Sequence, residues 1–285
     1  MATKDKALAQ QGDENKALVV GNFDYGEMAG VGFENQTRDD YAIPFLGILQ
    51  GLSPQLETVD GAKPGLIINT VTNDLHPKDG VAFVPAWTEH LYVEWKPRDQ
   101  GGGFVGVHAI DSEVVSQARN GSQEFGKYST LAGNDLIETF YVYGLVVRED
   151  GGLEQAVLAF SSTKIKKYKA WMTKAKMIQI DLGGGRRINA PLPAHRYRLR
   201  TIKEKNTKGE YWNWDISFDG TNAVECRLAP DSPEFQEAVN VMKLVKSGAA
   251  RAAHETQGGA GSGGDEAGSD SDPQAIKASG GKAPF

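Results

Sequence analysis

Between residues 63 and 218 the chain consists of short runs rich in β-branched and aromatic residues, separated by polar or glycine-rich segments. Runs of this length and composition predict β-strands. The segments between them carry the Gly, Pro, Asp and Asn residues that are typical of turns. The predicted strands are 66–71, 81–87, 90–95, 104–110, 139–147, 155–162, 195–202 and 211–218. Their regular recurrence favours a mainly β domain with helical insertions, arranged as a barrel or a sandwich.

Helical signals occur beside and between these strands. A short helix is predicted to begin near Pro44, a second to span 112–120, and a C-terminal helix to span 232–253. The last begins with Ser-Pro-Glu at 232–234, which is typical of a capped helix start.

The segment 164–178 predicts an amphipathic helix. Ser161, Ser162 and Thr163 precede it and are candidate N-caps. Six apolar residues fall within one arc of its surface and are predicted to face the core. They are Ile165, Tyr168, Trp171, Met172, Ala175 and Ile178. Most of its lysines lie outside that arc and are expected to face solvent.

The ends of the chain differ from the middle in composition. Residues 1–37 are polar with no sustained period and predict an irregular N-terminal arm. Residues 38–253 hold the predicted domain. Residues 254–285 are rich in Gly, Ser, Asp and Ala and carry a net charge of −3. Because such a segment buries too little apolar surface to offset its ordering entropy, it predicts a disordered, acidic, Gly-rich tail.

The charge of the chain is unevenly distributed. The 285 residues carry a net charge of −6, but the segment 164–208 has 14 basic and two acidic residues, a net charge of +12. The remaining 240 residues therefore carry −18. A basic segment in an acidic protein indicates a polyanionic partner. The alternative is a solvated face whose charges pair with acids elsewhere in the fold.

No catalytic pattern accompanies this basic segment. The five histidines show no metal-ligand spacing, and the sequence contains no GxSxG elbow. The run 101–106 matches GxGxxG, but its setting between strands predicts a hairpin loop. The single cysteine, Cys226, has no disulfide partner in the chain and indicates a reducing, cytoplasmic location. We therefore expect no enzyme activity, no metal, no cofactor and no membrane segment.

The binding signal is stronger, and it lies on two strands. Alternation along 195–202 places Arg196, Arg198 and Arg200 on one face, where like charges repel unless an anion neutralises them. In the strand 211–218, Trp212 and Trp214 share a face that normally packs into the core. The other interpretation is that one of them, or Tyr211, stacks on a nucleic-acid base.

The predicted nucleic-acid site combines the cations and aromatics of this region. Its residues are Lys164, Lys166, Lys167, Lys169, Lys174, Lys176, Arg186, Arg187, Arg196, Arg198, Arg200, Tyr211, Trp212 and Trp214. Cations paired with phosphates and aromatics stacked on unpaired bases are the chemistry of sequence-independent single-strand binding.

The strand-helix-strand run from Phe140 to Phe218, this basic aromatic block and the acidic tail ending in Pro284 and Phe285 resemble single-stranded DNA-binding proteins encoded by tailed bacteriophages. The resemblance implies an OB-like β-barrel with a C-terminal helix, single-stranded DNA as partner and a role in phage replication or recombination. It also implies that the Pro284-Phe285 tip binds replication or recombination proteins.

Two alternatives stay open. The protein is a virion structural or assembly protein whose basic surface contacts an acidic protein or packaged genome, or it is a recombination enzyme or annealing factor with an unrecognised site.

Overall fold

The computed structural model describes residues 31–32, 41–124, 126–207 and 209–254. The predicted arm, 1–37, lies outside the described residues except for residues 31–32. The predicted tail lies outside them except for His254. The disorder of the tail and the docking role of Pro284 and Phe285 therefore remain predictions.

Within the described residues the chain forms a mainly β fold with helices, as expected. The strands are β1 (Ala42–Ile43), β2 (Leu46–Ile48), β3 (Ile67–Asn69), β4 (Leu75–His76), β5 (Val81–Trp95), β6 (Phe104–Ala109), β7 (Tyr128–Ser129), β8 (Asp135–Val147), β9 (Leu153–Ser161), β10 (Gln179–Asp181), β11 (Arg187–Asn189), β12 (Tyr197–Asn206), β13 (Gly209–Phe218) and β14 (Arg251–Ala252). The helices are α1 (Gln55–Thr58), α2 (Glu113–Gly121), α3 (Ile165–Met177) and α4 (Pro233–Lys246).

The two longest strands, β5 and β8, form the centre of the largest sheet, whose order is β13-β12-β5-β8-β7. The end of β5 also pairs with β6, and the end of β8 pairs with β9. The predicted strands 81–87 and 90–95 are one strand, β5, whose pairing shifts register between Pro85 and Trp87. Because proline has no N–H to donate, a bulge is where a central strand tolerates it.

A smaller sheet, β2-β3-β4, is linked to β9 and β13 of the large one through the residues on either side of β2. Phe45 forms a bridge with Val157 of β9. Directly after β2, the Gln50 side chain accepts a hydrogen bond from the Trp212 N–H at 2.9 Å and donates one to the Trp212 carbonyl at 2.8 Å. No sheet among the described residues closes into a barrel by strand pairing, so the expected OB-like barrel is not specifically supported.

The central strands are buried on both faces. On one face β2, β3, β5, β8, β9, β12, β13 and α3 enclose an apolar cluster that includes Phe83, Phe160 and Trp214. On the other face α4 packs Ala238 and Val241 into a second cluster. Burial on both sides explains why the 139–147 segment is an almost continuous apolar run rather than an alternating one.

The two ends of the described domain meet in a short parallel ladder. Ala42 of β1 pairs with Arg251 of β14, and Ile43 pairs with Ala252. The ring of His254 stacks on Phe104, with ring centroids 4.5 Å apart. Burial, with a smaller contribution from the Arg251 charge, lowers the pKa of His254 to about 4, so this ring is uncharged at neutral pH.

Two sequence predictions about helices need correction. The helix predicted near Pro44 is wrong, because the residues on either side of it form β1 and β2. The predicted helix 232–253 begins as expected, with the Ser232 hydroxyl accepting from the Phe235 N–H, but it ends at Lys246. Gly248 follows with a φ of 74°, which ends the helix and leads the chain into β14.

None of the helices in the described part of the chain is long and apolar enough to cross a membrane.

Candidate nucleic-acid interface

Helix α3 holds the largest group of the predicted site residues. Its apolar arc packs into the core as predicted: Trp171 and Met172 are buried, and Ile165, Tyr168 and Ala175 pack against the same cluster. The predicted N-caps are not used in that way. Ser162 begins a 3₁₀ turn that ends at Lys164, and no side chain caps α3.

The opposite side of α3 carries Lys166, Lys169, Lys174 and Lys176, which we call the α3 lysine face. All four side chains are exposed, and none makes an ion pair within the described residues. Lys169 lies over the ring of Phe140, 5.8 Å from its centroid. Four neighbouring cations without acidic partners create a local positive potential above this helix.

Two further lysines of the helix region are not part of that exposed group. Lys167 is half-buried, and its Nζ lies 2.6 Å from Oε1 of Glu204. Burial of Glu204 raises its pKa, but hydrogen bonds from Lys167, Asn213 and Tyr211 outweigh that effect and lower it overall. Lys164 is half-buried in the 3₁₀ turn. Lys167 therefore serves as a structural cation.

The arginine row on β12 has the predicted face but not the predicted need for an external anion. Arg196 and Arg198 both contact Asp219, at 2.6 Å and 2.7 Å, and Arg200 contacts Asp215 at 3.2 Å. The Asp219 side chain is only 8% exposed. The repulsion within the row is thus relieved by acids of the same hairpin, which is the alternative that the sequence left open.

The aromatic residues of β13 are mostly used in the core. Trp214 is 1% exposed, so its ring is not accessible to a base. Trp212 is half-buried, lies against Gly65 and is covered by Lys78, whose Nζ is 4.9 Å from the ring centroid. Gly65 has a φ of 91°, and a β-carbon there would lie 2.7 Å from the indole. Of the two interpretations, core packing is correct for Trp214.

Tyr211 lies on the other face of β13. Its hydroxyl donates to Glu204 at 3.1 Å, next to the Lys167 contact. The ring is half-buried, and it is separated from the tryptophans by the alternation of the strand.

The remaining predicted cations lie on a hairpin formed by β10 and β11, directly after α3. Arg187 is 3.7 Å from Asp181, whereas Arg186 is exposed and has no ion pair within the described residues. Residues 165–189 together contain seven basic residues and one acid, a net charge of +6. Five of these seven cations have no acidic partner among the described residues: Lys166, Lys169, Lys174, Lys176 and Arg186.

Sequence reasoning missed three exposed apolar residues in this region. Met177 is 75% exposed, Leu182 51% and Ile188 42%. The alternation of Ile180, Leu182 and Ile188 around the Gly183–185 turn is a signal for an amphipathic hairpin, but the low hydrophobicity of the segment obscured it.

Other candidate chemistry has a structural explanation. Cys226 is 3% exposed, and burial raises the pKa of its thiol, with Asp219 adding to that effect. The glycine run 101–103 lies in the loop between β5 and β6, as predicted. The buried Glu94 accepts hydrogen bonds from Asn134 and Thr130 and lies 2.7 Å from the His108 ring, which ties β5 and β6 to the turn between β7 and β8. Among the described residues no group of three His, Cys, Asp or Glu is placed to hold a metal ion.

The family model described as "Pam3 phage gp34-like protein" matches residues 13–251. No curated protein and no solved structure matches the chain.

Proposed function

The chain belongs to the Pam3 phage gp34-like protein family. We propose that it binds single-stranded DNA without sequence preference during phage DNA replication or recombination. The proposed contact surface is the α3 lysine face together with the β10–β11 hairpin. No catalytic step, metal or cofactor is part of the proposal.

The observation that carries the proposal is the contrast between neutralised and unneutralised cations. The arginines of β12 have acidic partners in their own hairpin, whereas Lys166, Lys169, Lys174 and Lys176 have none among the described residues. Clustering four cations without partners raises the electrostatic free energy of the folded chain. A phosphate backbone lowers it again and releases counterions.

The same surface favours a single strand over a specific duplex site. The exposed side of α3 carries lysines with Ala170, Thr173 and Met177, and it offers no Asn or Gln to read a base edge. Cations on a helix beside exposed apolar side chains fit phosphates and unstacked bases of any sequence.

The test is a titration of fluorescent oligo-dT at two salt concentrations with the variant K166Q/K169Q/K174Q/K176Q. We expect affinity to fall at least about tenfold, and the salt dependence of log K to weaken by nearly three units, since each single-strand phosphate contact contributes about 0.7. The matched control, K63Q/K96Q/R98Q/K243Q, removes the same charge from exposed positions elsewhere and should bind within about twofold of wild type.

Binding of the lysine variant with wild-type affinity would contradict the proposal. So would a wild-type protein that binds oligo-dT, duplex DNA and heparin equally, or binds none of them.

A second candidate is a virion structural or assembly protein, and strand β6 favours it. Within the described residues β6 pairs only with β5, so its other edge is open, and Val105 and Val107 are exposed on it. An open, apolar edge strand is a template for pairing with another chain. In that case sedimentation should show concentration-dependent self-association that V105K/V107K abolishes, and oligo-dT should not bind.

A further inference from the structure

The β10–β11 hairpin exposes an apolar face that no other element of the described chain covers. Ile180 pairs with Ile188, and Leu182 lies two residues beyond Ile180 on the same side of the ladder. Met177, at the end of α3, immediately precedes the hairpin and is three-quarters exposed. Asp181 and Arg187 form the opposite, polar face.

This hairpin forms a sheet of its own. Its two strands pair only with each other, and the Ala190 N–H donates to the Ile178 carbonyl at its base. A two-stranded hairpin is marginally stable alone in water, and exposed apolar side chains on it contribute little to the core. Apolar residues grouped on such an element indicate a contact surface.

Charge identifies the occupant of that surface. Lys174 and Lys176 lie in the last turn of α3, just before the hairpin, and Arg186 lies in its turn. None of the three has an ion pair in the described residues, and Asp181 is the single acid from 165 to 189. A partner must therefore combine closely spaced negative charges with flat apolar faces. A single nucleic-acid strand does so, with phosphates along its backbone and unstacked bases beside them.

The turn of the hairpin adds backbone donors to these cations. Gly183, Gly184 and Gly185 have φ values of 84°, 59° and 79°, and β-carbons at these positions would meet open space. The Gly183 N–H donates to Asp181, and the Arg186 N–H donates to the Gly183 carbonyl. The amides of Gly184 and Gly185 have no acceptor among the described residues, so both N–H groups are available to donate to a phosphate.

We propose that the β10–β11 hairpin is a base-contacting wedge, in which Met177, Leu182 and Ile188 lie against unstacked bases while Arg186 and the glycine amides bind the flanking phosphates. This inference rests on the proposed function and adds a role to it. Apolar side chains that contact separated bases stabilise the open form of DNA. The protein therefore lowers the melting temperature of a duplex, and the α3 lysine face alone does not.

The test uses the full chain with L182S/I188T, which makes the apolar face polar and keeps every charge. Leu131 and Val224 are exposed apolar residues elsewhere, so L131S/V224T is the matched control. Two quantities are measured: the affinity for oligo-dT at two salt concentrations, and the melting of a DNA hairpin labelled with a fluorophore and a quencher.

We expect L182S/I188T to bind oligo-dT about fivefold or more weakly, with an unchanged salt dependence, and to lose most of the duplex destabilisation. The control should match wild type in both measurements. The single variant L182S should show a smaller loss in the same direction. Circular dichroism of each variant checks that the fold is retained.

The outcomes separate the two proposals. If wild type binds oligo-dT and L182S/I188T behaves identically in both measurements, the wedge is rejected and the proposed function stands. If wild type does not bind oligo-dT, the proposed function fails and the wedge fails with it. A third outcome would also overturn the wedge. In it, wild type binds vesicles of phosphatidylglycerol and phosphatidylcholine, and L182S/I188T abolishes that binding but leaves DNA binding unchanged.

Discussion

At the scale of single residues, Asp219 decides how the arginine row is interpreted. It lies directly after β13, is almost fully buried and contacts both Arg196 and Arg198. A buried carboxylate between two half-buried guanidinium groups is a structural ion cluster. The row therefore ties the start of β12 to the end of β13, whether or not nucleic acid binds.

We predict that Asp219→Asn lowers the free energy of unfolding by about 2 kcal/mol, because two arginines lose their shared, desolvated partner. The measurement is urea denaturation followed by tryptophan fluorescence. Asp215→Asn is the matched control. Its side chain is 44% exposed, so losing its contact with Arg200 should change stability by about 0.5 kcal/mol or less. Equal effects of the two substitutions would contradict this interpretation.

The acidic partner of Arg200 was within reach of sequence reasoning. The alternation of 195–202 and 211–218 is correct in the structure, and the pairing runs from Tyr197 and Phe218 to Asn206 and Gly209. Because the strands continue to a two-residue turn after Asn206, Arg200 lies directly opposite Asp215. The predicted strands, 195–202 and 211–218, leave residues 203–210 between them, and in that register Arg200 does not face Asp215. Asp219 lies beyond the strand, and its position depends on a bend that no periodicity encodes.

At the scale of elements, Gln50 acts as a short strand partner. Its side-chain amide has a carbonyl and an N–H, as a backbone peptide does, and it satisfies both groups of Trp212 at the open edge of β13. Local patterns in the sequence do not reveal such a contact, because the two residues are 162 positions apart. The same limit explains the wrong helix near Pro44, since the pairing partners of that segment, β3 and β14, come later in the chain.

We predict that Gln50→Ala removes both hydrogen bonds and lowers stability by about 1–2 kcal/mol. The sharper measurement is amide hydrogen exchange, which should speed up at Trp212 more than elsewhere in β13. Gln117→Ala serves as the control, since Gln117 is exposed and, within the described part of the chain, its side chain bonds only to Glu113 one turn away on α2. Unchanged exchange at Trp212 would show that the contact does not protect this edge.

Local elements were otherwise well predicted. The predicted strands 139–147 and 155–162 form a hairpin, and the hairpin loop around 101–106 and helix α2 also occur as expected. Their turn residues and their periodicity act over short distances. The core face of α3 also followed from its sequence. Within the predicted binding site, exposure was predictable for the α3 lysine face, but ion pairing was not, because it depends on which acids the fold brings near.

At the scale of the whole molecule, the net charge of −6 divides into a basic segment and an acidic remainder, and the structure divides the basic segment again. Arg196, Arg198 and Arg200 have acidic partners, whereas most cations of α3 and the β10–β11 hairpin have none among the described residues. The residues after His254 add five acids and two bases, a net charge of −3. If the proposed function holds, we expect these acids to compete with DNA for the exposed cations of the same molecule.

We predict that deleting residues 255–285 tightens oligo-dT binding by about two- to fivefold at low salt, and that the difference disappears at about 0.5 M salt because of screening. A full-length variant with Asn or Gln in place of the five acids should reproduce the effect, which separates charge from chain length. Fluorescence anisotropy gives both affinities. Equal affinity of the intact and shortened chains at low salt would reject this competition.

The parallel pairing of β1 with β14 also has a consequence for synthesis. Ile43 and Ala252 are neighbours in the fold, but a ribosome makes them about 10–40 s apart at ordinary elongation rates. During that interval the nascent chain has neither α4 nor β14, so the apolar side chains that they cover are open to water and to other chains. A polypeptide whose translation stops before residue 233 keeps that face uncovered, and we expect it to aggregate or to be degraded.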